Sequence, residues 1–424
     1  MSNMIELEQA PERLLLAAVD TGRGGHVEEN LAELGELVRT AGGIPAGTLI
    51  QNREAIHPGM YFGSGKLEEI RAFMDMEKLD GIVVDDELSP AQYNNLAEAL
   101  TGKVIDRTML ILDIFAKRAQ SSEGKIQVEL AQLRYRSARL TGLGRSLSRL
   151  GGGIGTRGPG EKKLEMDRRL IGKRIAQLKE ELAEVERHRD LTRIHRKFSG
   201  KPVAALVGYT NAGKSTLLNA LTEANVLAED ALFATLDPTT RLFRLPSGRE
   251  ALLTDTVGFI QKLPHPLIDA FRSTLEEAAY ADLILHVVDA SNPRMDSQMS
   301  VVYSTLSELG AGDRPVITVF NKIDREECAE NHLTDPRSKA AVRISAKTRE
   351  GIDSLLAAIE EILLEGQVPV EGILPYKDAG LLSKIREEGT LFLEDYQAEG
   401  IRIRAQLPPA LAARIRAALE GSSV

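Results

Sequence analysis

The sequence predicts an α/β protein, and three observations carry that prediction. Apolar runs of strand length alternate with helical patterns twice, over residues 1–120 and again over 201–366. A helical stripe of near-heptad spacing fills the stretch between them. A segment of the form G-x-x-x-x-G-K-S sits between a strand-like run and a helical one. With a short tail, these features divide the chain into four parts. They are an N-terminal α/β domain (1–120), a long antiparallel two-helix hairpin (121–200) with a glycine-rich tip (151–160), a P-loop domain (201–366) and a small α+β C-terminal domain (367–424).

In the first part, Leu14–Val19, Ile82–Val84 and Val104–Ile105 read as strands. Glu28–Val38, Pro90–Leu100 and Thr108–Lys117 read as helices, with Ser89 placed to cap the second. Strands separated by helices imply a small parallel sheet. Gly63-Ser64-Gly65-Lys66 resembles part of a phosphate loop. It lacks the leading glycine, since Met60 stands there, and Leu67 takes the place of the metal-binding hydroxyl. A glycine-rich turn without a ligand is the simpler reading. Asp85 and Asp86 end a strand with no acid–base partner in the sequence.

From Ile126 the apolar positions are Ile126, Leu130, Leu133, Leu140, Leu143, Leu147 and Leu150. A second stripe runs through Leu164, Ile171, Ile175, Leu178, Leu182 and Val185, then loosely through Leu191, Ile194 and Phe198. Neither helix can pass through GGGIGTRGPGE, Gly151–Glu161. Two antiparallel helices with facing stripes and an exposed tip are therefore expected. The tip is longer than a simple helix connection requires, and Arg145, Arg149 and Arg157 lie close by. Backbone without side chains can approach a crowded polyanion closely, which points to a narrow site on RNA. His188 and His195 share a helical face, but no carboxylate or cysteine is in register for a metal.

The charge distribution agrees with that reading. The whole chain carries −9, yet residues 121–200 hold 19 Lys/Arg against 10 Asp/Glu. A basic middle in an acidic chain is a local polyanion-facing surface or, more plainly, a solvated helix face. Aromatic residues make up 4% of the chain and Trp is absent, so the cores must rest on Leu, Ile, Val and Ala. The single cysteine, Cys328, cannot close an internal disulfide, which suits a reducing compartment. No signal-peptide pattern and no run long enough to span a membrane is visible, so a cytoplasmic location is expected.

The third part carries the chemistry. Val203–Val207 is a strand-like run, Gly208-Tyr209-Thr210-Asn211-Ala212-Gly213-Lys214-Ser215 is the loop, and Thr216–Leu221 is helical. Loop N–H groups and the helix N-terminus are expected to wrap phosphates, so Gly208 through Thr216 are nucleotide-site candidates. Lys214 would reach the β- and γ-phosphates, and Ser215 would place its hydroxyl on Mg²⁺. Ala251–Thr254 then leads to Asp255-Thr256-Val257-Gly258. Asp255 would hold Mg²⁺ through water, and the Gly258 N–H would meet the γ-phosphate. Between them lies Leu232-Phe233-Ala234-Thr235, then Leu-Asp-Pro-Thr239-Thr240. A threonine here should contact Mg²⁺ and the γ-phosphate. Thr235 is the chosen candidate, with Phe233 beside it and Thr239 and Thr240 as lesser ones. Catalysis is assigned to Lys214, Thr235 and Gly258.

Two further strand-like runs are Leu283–Val288, followed by Asp289, and Val316–Phe320. The latter delivers Asn321-Lys322-Ile323-Asp324. Asp324 can accept from N1–H and the exocyclic amine of guanine together, which adenine cannot offer. Lys322 would lie along the base and Asn321 would brace the loop. Ser345-Ala346-Lys347 follows, with the Ala346 N–H expected at guanine O6. The sequence thus implies a P-loop GTPase domain using GTP/GDP and Mg²⁺. The residue after D-x-x-G is Phe259 rather than a water-orienting glutamine, so slow intrinsic hydrolysis and an external activator are expected.

At these residues the chain resembles the HflX family of GTPases. The resemblance rests on SLSRLGGGIGTRGPGE (Ser146–Glu161), VGYTNAGKSTLLN (Val207–Asn219), LFATLDPTTR (Leu232–Arg241), DTVGFI (Asp255–Ile260) and NKID. It implies binding to the bacterial ribosome, chiefly the large subunit and its rRNA, with the tip near the peptidyl-transferase region. It also implies separation of stalled ribosomal subunits, typically under stress, by a factor expected to be monomeric. A ribosome-assembly GTPase, an ATP-dependent RNA-remodelling enzyme using the N-terminal domain and a membrane-linked regulatory GTPase are the competing expectations.

Overall fold

The structure is a computed structural model that describes residues 10–22, 26–150, 159–198, 201–222, 232–233, 237–262, 276–325 and 333–420. For 141–150, 159–164, 188, 190–198, 387 and 420 it describes the backbone alone. The chain divides into two compact units. The first gathers residues 1–183 with Leu232, Phe233 and Lys262, and the second holds the remaining described residues.

The first unit contains a four-stranded parallel sheet of order β2-β1-β3-β4, formed by β1 (Arg13–Asp20), β2 (Ile44–Asn52), β3 (Gly81–Val84) and β4 (Lys103–Asp106). Leu14 to Val19 of β1 and all of β3 are buried, as expected for inner strands covered on both faces. β2 lies at the sheet edge and is only half-buried, with Pro45 and Gly47 among its residues. That composition hides it from a hydrophobic-pattern search. The helices are α1 (Val27–Thr40), α2 (Ser64–Glu77), α3 (Pro90–Ala99) and α4 (Arg107–Arg118). Ser89 caps α3 through a reciprocal capping box with Gln92. The Gly63–Lys66 turn forms the start of α2, where Lys66 Nζ lies 2.7 Å from Glu69 Oε2.

Asp85 and Asp86 are ion-pair acceptors here. Arg107, 2% exposed, donates to Asp85 Oδ1 at 2.8 Å and to Glu33. Lys262 pairs with Asp85 and, at 2.7 Å, with Asp86 Oδ1.

α5 (Ser122–Leu150) and α6 (Pro159–Phe198) are the two long helices of the basic stretch. Arg174 grips Glu129 with two parallel bonds, Nε to Oε1 at 2.7 Å and an Nη to Oε2 at 2.9 Å. The pair is 45 residues apart and straddles the glycine segment, which fits an antiparallel arrangement. α5 also packs on α3 and α4. Its deeply buried residues include Val128, Leu130, Ala131 and Tyr135, whereas Ile126, Leu133 and Leu140 are only half-buried. On α6, Leu178 is buried and Ile171, Ile175, Leu182 and Val185 are half-buried, whereas Leu170 and Met166, which lie outside the stripe, are exposed. Helical periodicity identifies an apolar stripe without naming the surface that covers it. Tip residues 151–158, Cys328 and the side chains of Arg145, Arg149, His188 and His195 lie outside the described residues.

The second unit holds a six-stranded sheet of order β10-β9-β8-β5-β7-β6. Its strands are β5 (Val203–Gly208), β6 (Thr239–Arg244), β7 (Glu250–Asp255), β8 (Leu283–Asp289), β9 (Val316–Asn321) and β10 (Ala340–Arg343). β6 runs antiparallel to β7, and the other pairings are parallel. Its helices are α7 (Lys214–Thr222), α8 (Met295–Glu308) and α9 (Ile352–Leu364). Leu206, Leu217, Leu285, Ile317, Ile344 and Leu355 lie in one core. The tail forms a three-stranded antiparallel sheet, β11 (Val368–Leu374), β13 (Gly400–Leu407) and β12 (Thr390–Gln397) in spatial order, with α10 (Leu381–Glu388) and α11 (Pro409–Glu420). β11 opens the small α+β tail domain. Its alternating exposed Pro369 and Glu371 kept the apolar signal low.

Candidate functional site: a cradle at the ends of β5, β7 and β9

All the site residues described below, Phe233 apart, belong to the second unit. β5 is buried from Ala204 to Gly208 and delivers the loop at its carboxyl end, before α7 begins at Lys214. Such strand ends are where open α/β sheets bind ligands. The loop turns at Asn211 with φ +61°, a conformation that Asn adopts more readily than most residues. Gly213 follows with φ +95°, and a Cβ there would stand 2.3 Å from Asn321 Nδ2. Only glycine fits so close an approach.

Asn321 ties three segments together. Its Nδ2 donates to the Ala212 carbonyl at 2.9 Å, and its Oδ1 accepts from the Ala346 N–H at 2.9 Å. It is 3% exposed. The Ala346 N–H, expected at guanine O6, is therefore committed to Asn321. The neighbouring Lys347 N–H has no partner among the described residues. Lys322 Nζ donates to the Asn211 carbonyl and to Asp289 Oδ2, both at 2.7 Å. Asp289 also accepts from the N–H and hydroxyl of Ser291. The sequence marks Asp289 only as the residue after a strand. Its position beside a lysine that contacts the phosphate loop emerges from the sheet order.

Asp324 is exposed, and a hydrogen bond from the Ser345 side chain holds its carboxyl below the usual carboxylate range. Ser345 is fully buried and its N–H donates to Glu350 O at 3.0 Å. An ionised, outward-facing carboxylate on a braced loop can accept two hydrogen bonds from one ligand edge.

At the phosphate end, Lys214 Nζ donates to the carbonyls of Gly208 and Tyr209 at 3.1 and 3.0 Å. Burial lowers its pKa to about 8, and the nearby Asp255 carboxylate opposes that shift. The Ser215 hydroxyl donates to Asp255 Oδ2 at 2.9 Å. Thr256 fixes the following strand end by donating to Leu206 O at 2.6 Å. The segment after Asp255 is then laced to the loop. Phe259 N donates to Gly208 O at 3.1 Å, and Phe259 O accepts from Thr210 N at 2.8 Å. The Tyr209 hydroxyl accepts from Gln261 N at 2.8 Å, a contact the motif spacing does not reveal. Phe259 is 2% exposed. A Cβ on Gly258 would meet Thr210 Cγ2 at 2.8 Å and Lys214 Nζ at 3.0 Å, so this glycine is also a requirement of space.

The structure thus brings together Gly208 to Ser215, Asp255, Gly258, Asn321, Lys322, Ser345 and Ala346, with Thr216 in the first turn of α7 and Asp324 and Lys347 at the base end. Thr235 lies outside the described residues. Thr239 and Thr240 form the start of β6, and the Thr240 and Thr254 hydroxyls share a hydrogen bond at 2.9 Å. Phe233 belongs to the first unit, where its ring meets Phe115 edge to face at 4.6 Å.

Three family models match the chain. They are a GTP-binding GTPase N-terminal region over residues 28–116, a GTP-binding GTPase middle region over 118–196 and a 50S ribosome-binding GTPase over 203–322. A GTPase HflX from Lacrimispora saccharolytica is 61% identical over 415 residues, covering 98% of each chain. A GTPase HflX from Escherichia coli is 43% identical over 384 residues, covering 90% of each. A solved structure described as SsGBP in complex with GDP is 26% identical, covers 83% of this chain and 98% of its own, and has a TM-score of 0.47. Among the described residues no helix is long and apolar enough to cross a membrane. With relatives of this identity along nearly its whole length, and with the cradle just described, the chain belongs to the HflX family of GTPases.

Proposed function

We propose that this chain is a GTP-hydrolysing factor that binds the large ribosomal subunit and splits stalled ribosomes, with the cradle controlling binding and release. The observation that carries the reading is the unbroken path from Ala212 through Asn321 to Ala346, which unites a phosphate loop with a guanine-reading segment. Asp324 accepts from the two N–H donors on one guanine edge. The Lys347 N–H, rather than that of Ala346, meets O6. Lys214 neutralises the β- and γ-phosphates, and the Gly258 N–H reports the γ-phosphate. Thr235 is assigned to the same γ-phosphate end.

The donor set fits Mg²⁺. Ser215 and Asp255 offer hard oxygen atoms side by side, and no cluster of three metal-ligating side chains occurs among the described residues. That suits an ion whose remaining positions go to phosphate oxygens and water. Ser215 and Asp255 would hold Mg²⁺, which would supply neutralisation of the charge that develops on the phosphates. Phe259 cannot orient water, so hydrolysis is slow until the ribosomal partner stimulates it, and hydrolysis weakens the grip on the subunit. Only a difference in affinity between the two nucleotide states can drive that cycle.

The test is GTP turnover with and without large ribosomal subunits, for the wild type and for a chain lacking residues 151–160. The subunits are expected to stimulate the wild type strongly and the deletion weakly. Equal stimulation and equal splitting would reduce the tip to a connector.

A further inference from the structure

Phe259 leaves the D-x-x-G segment without the side chain that orients the attacking water in glutamine-bearing GTPases. Its ring is buried and its main chain is bonded to the loop on both sides, so it stays in the core. Some other group must hold the water.

Atoms of two residues converge on the Cβ position of Gly258. They are Thr210 Cγ2 at 2.8 Å, Thr210 Cα at 2.9 Å and Lys214 Nζ at 3.0 Å. Lys214 and Gly258 are the groups assigned to the γ-phosphate, and Thr210 is the third member of that cluster. It is 6% exposed, and its Oγ1 is buried with no hydrogen-bond partner among the described residues. Burying a hydroxyl unpaired is unfavourable, and such a group in a folded chain calls for a reason. Its main-chain N–H is spent on Phe259 O, so the hydroxyl alone is left to act. The Tyr209 hydroxyl beside it already accepts from Gln261 N.

We propose that the Thr210 hydroxyl takes the place of the missing glutamine and positions the water that attacks the γ-phosphate. This rests on the reading of the pocket as a GTP site. The hydroxyl accepts a hydrogen bond from that water and keeps its own proton. The water oxygen forms a bond to the γ-phosphorus as the bond to the bridging oxygen of GDP breaks. The water proton passes to a γ-phosphate oxygen, and GDP and inorganic phosphate are the products. The Thr210 methyl packs on Gly258 and sets the direction of the hydroxyl.

The experiment compares full-length wild type, Thr210→Val, Thr210→Ala and Thr210→Ser. It measures affinity for GDP and for a non-hydrolysable GTP analogue, and single-turnover hydrolysis with large ribosomal subunits. Valine and alanine are expected to leave both affinities within about twofold and to slow hydrolysis about 10- to 100-fold, the scale of one hydrogen bond to reacting groups. Serine is expected to restore the rate to within about threefold, because it keeps the hydroxyl. Wild-type rates in both valine and alanine variants would overturn the proposal. So would a loss of rate matched by a loss of analogue affinity, since that marks a ground-state phosphate contact. Failure of serine to rescue would also overturn it. If the wild type itself shows no preference for guanine nucleotides, the pocket reading fails first and this assignment falls with it.

Discussion

The Lys322 ammonium is held between the Asp289 carboxylate and the Asn211 carbonyl, with Nζ 2.7 Å from each acceptor. Lys322 thereby ties the end of β8 to the loop between β5 and α7. Asp289→Ala removes one charge-assisted bond, worth about 1.5 kcal/mol, and weakens GDP binding about tenfold. Calorimetric titration with GDP checks it, and unchanged affinity would show that the Asn211 contact alone suffices.

Asn321→Ala removes two bonds at once and leaves the Ala212 carbonyl and the Ala346 N–H unpaired in a buried place. Each orphaned group costs about 1–3 kcal/mol, so guanine-nucleotide affinity is expected to fall more than about 100-fold. Filter binding with labelled GDP reads this directly. A change below threefold would mean that the loop keeps its shape without the amide.

Asp324→Asn exchanges an acceptor for a group that also donates. Guanine then loses an acceptor for its two donors, while xanthine presents a carbonyl where guanine carries an amine. The variant is expected to favour xanthosine over guanosine diphosphate. Retained guanosine preference in a competition assay would remove Asp324 from base recognition.

Lys214 supplies a pH signature. Its pKa in the nucleotide-free chain is lowered to about 8, chiefly by burial. Bound phosphates favour the charged ammonium, so above pH 8 binding takes up a proton and affinity falls as pH rises. The limit is about tenfold per pH unit for one proton. The free chain responds oppositely. Between about 8 and the ordinary lysine value the unfolded state binds more protons, so this group's contribution to folding stability improves with pH. Titrations at pH 8.5 in buffers of different ionisation enthalpy measure the uptake, and none would contradict the assignment.

The first unit offers a stability test. Asp106 is fully buried, accepts from the N–H groups of Leu88 and Met109, and binds both Tyr135 and Arg139 on α5. The Arg139 guanidinium also lies 4.0 Å above the Tyr93 ring. Asp106→Ala leaves a buried cation uncompensated and is expected to cost about 3–5 kcal/mol locally. Hydrogen exchange in α4 and α5 reports it, and undiminished protection there would show that the network is dispensable.

The sequence made the cradle legible because phosphate and purine chemistry fix residue types at fixed intervals. Gly213, Lys214, Ser215, Asp255 and Asn321 are brought together at the strand ends. What it hid depends on who neighbours whom. Asp289 meets Lys322 because β8 and β9 are adjacent in the sheet. Tyr209 meets Gln261 because the loop and the segment after β7 run side by side. The central strands β1, β3, β5 and β8 announced themselves as continuous apolar runs. The half-buried edge strands β2 and β6 did not, since an edge needs only one covered face.

Asn321 reaches the Ala346 segment with one atom of its amide and the Ala212 loop with the other. A diphosphate and a triphosphate share everything that this amide organises, so the rigid part of the receptor grips both alike. Telling them apart must fall to the parts hung from it, the Gly258 segment above all. The protein can therefore remain loaded throughout its cycle and change only what it announces.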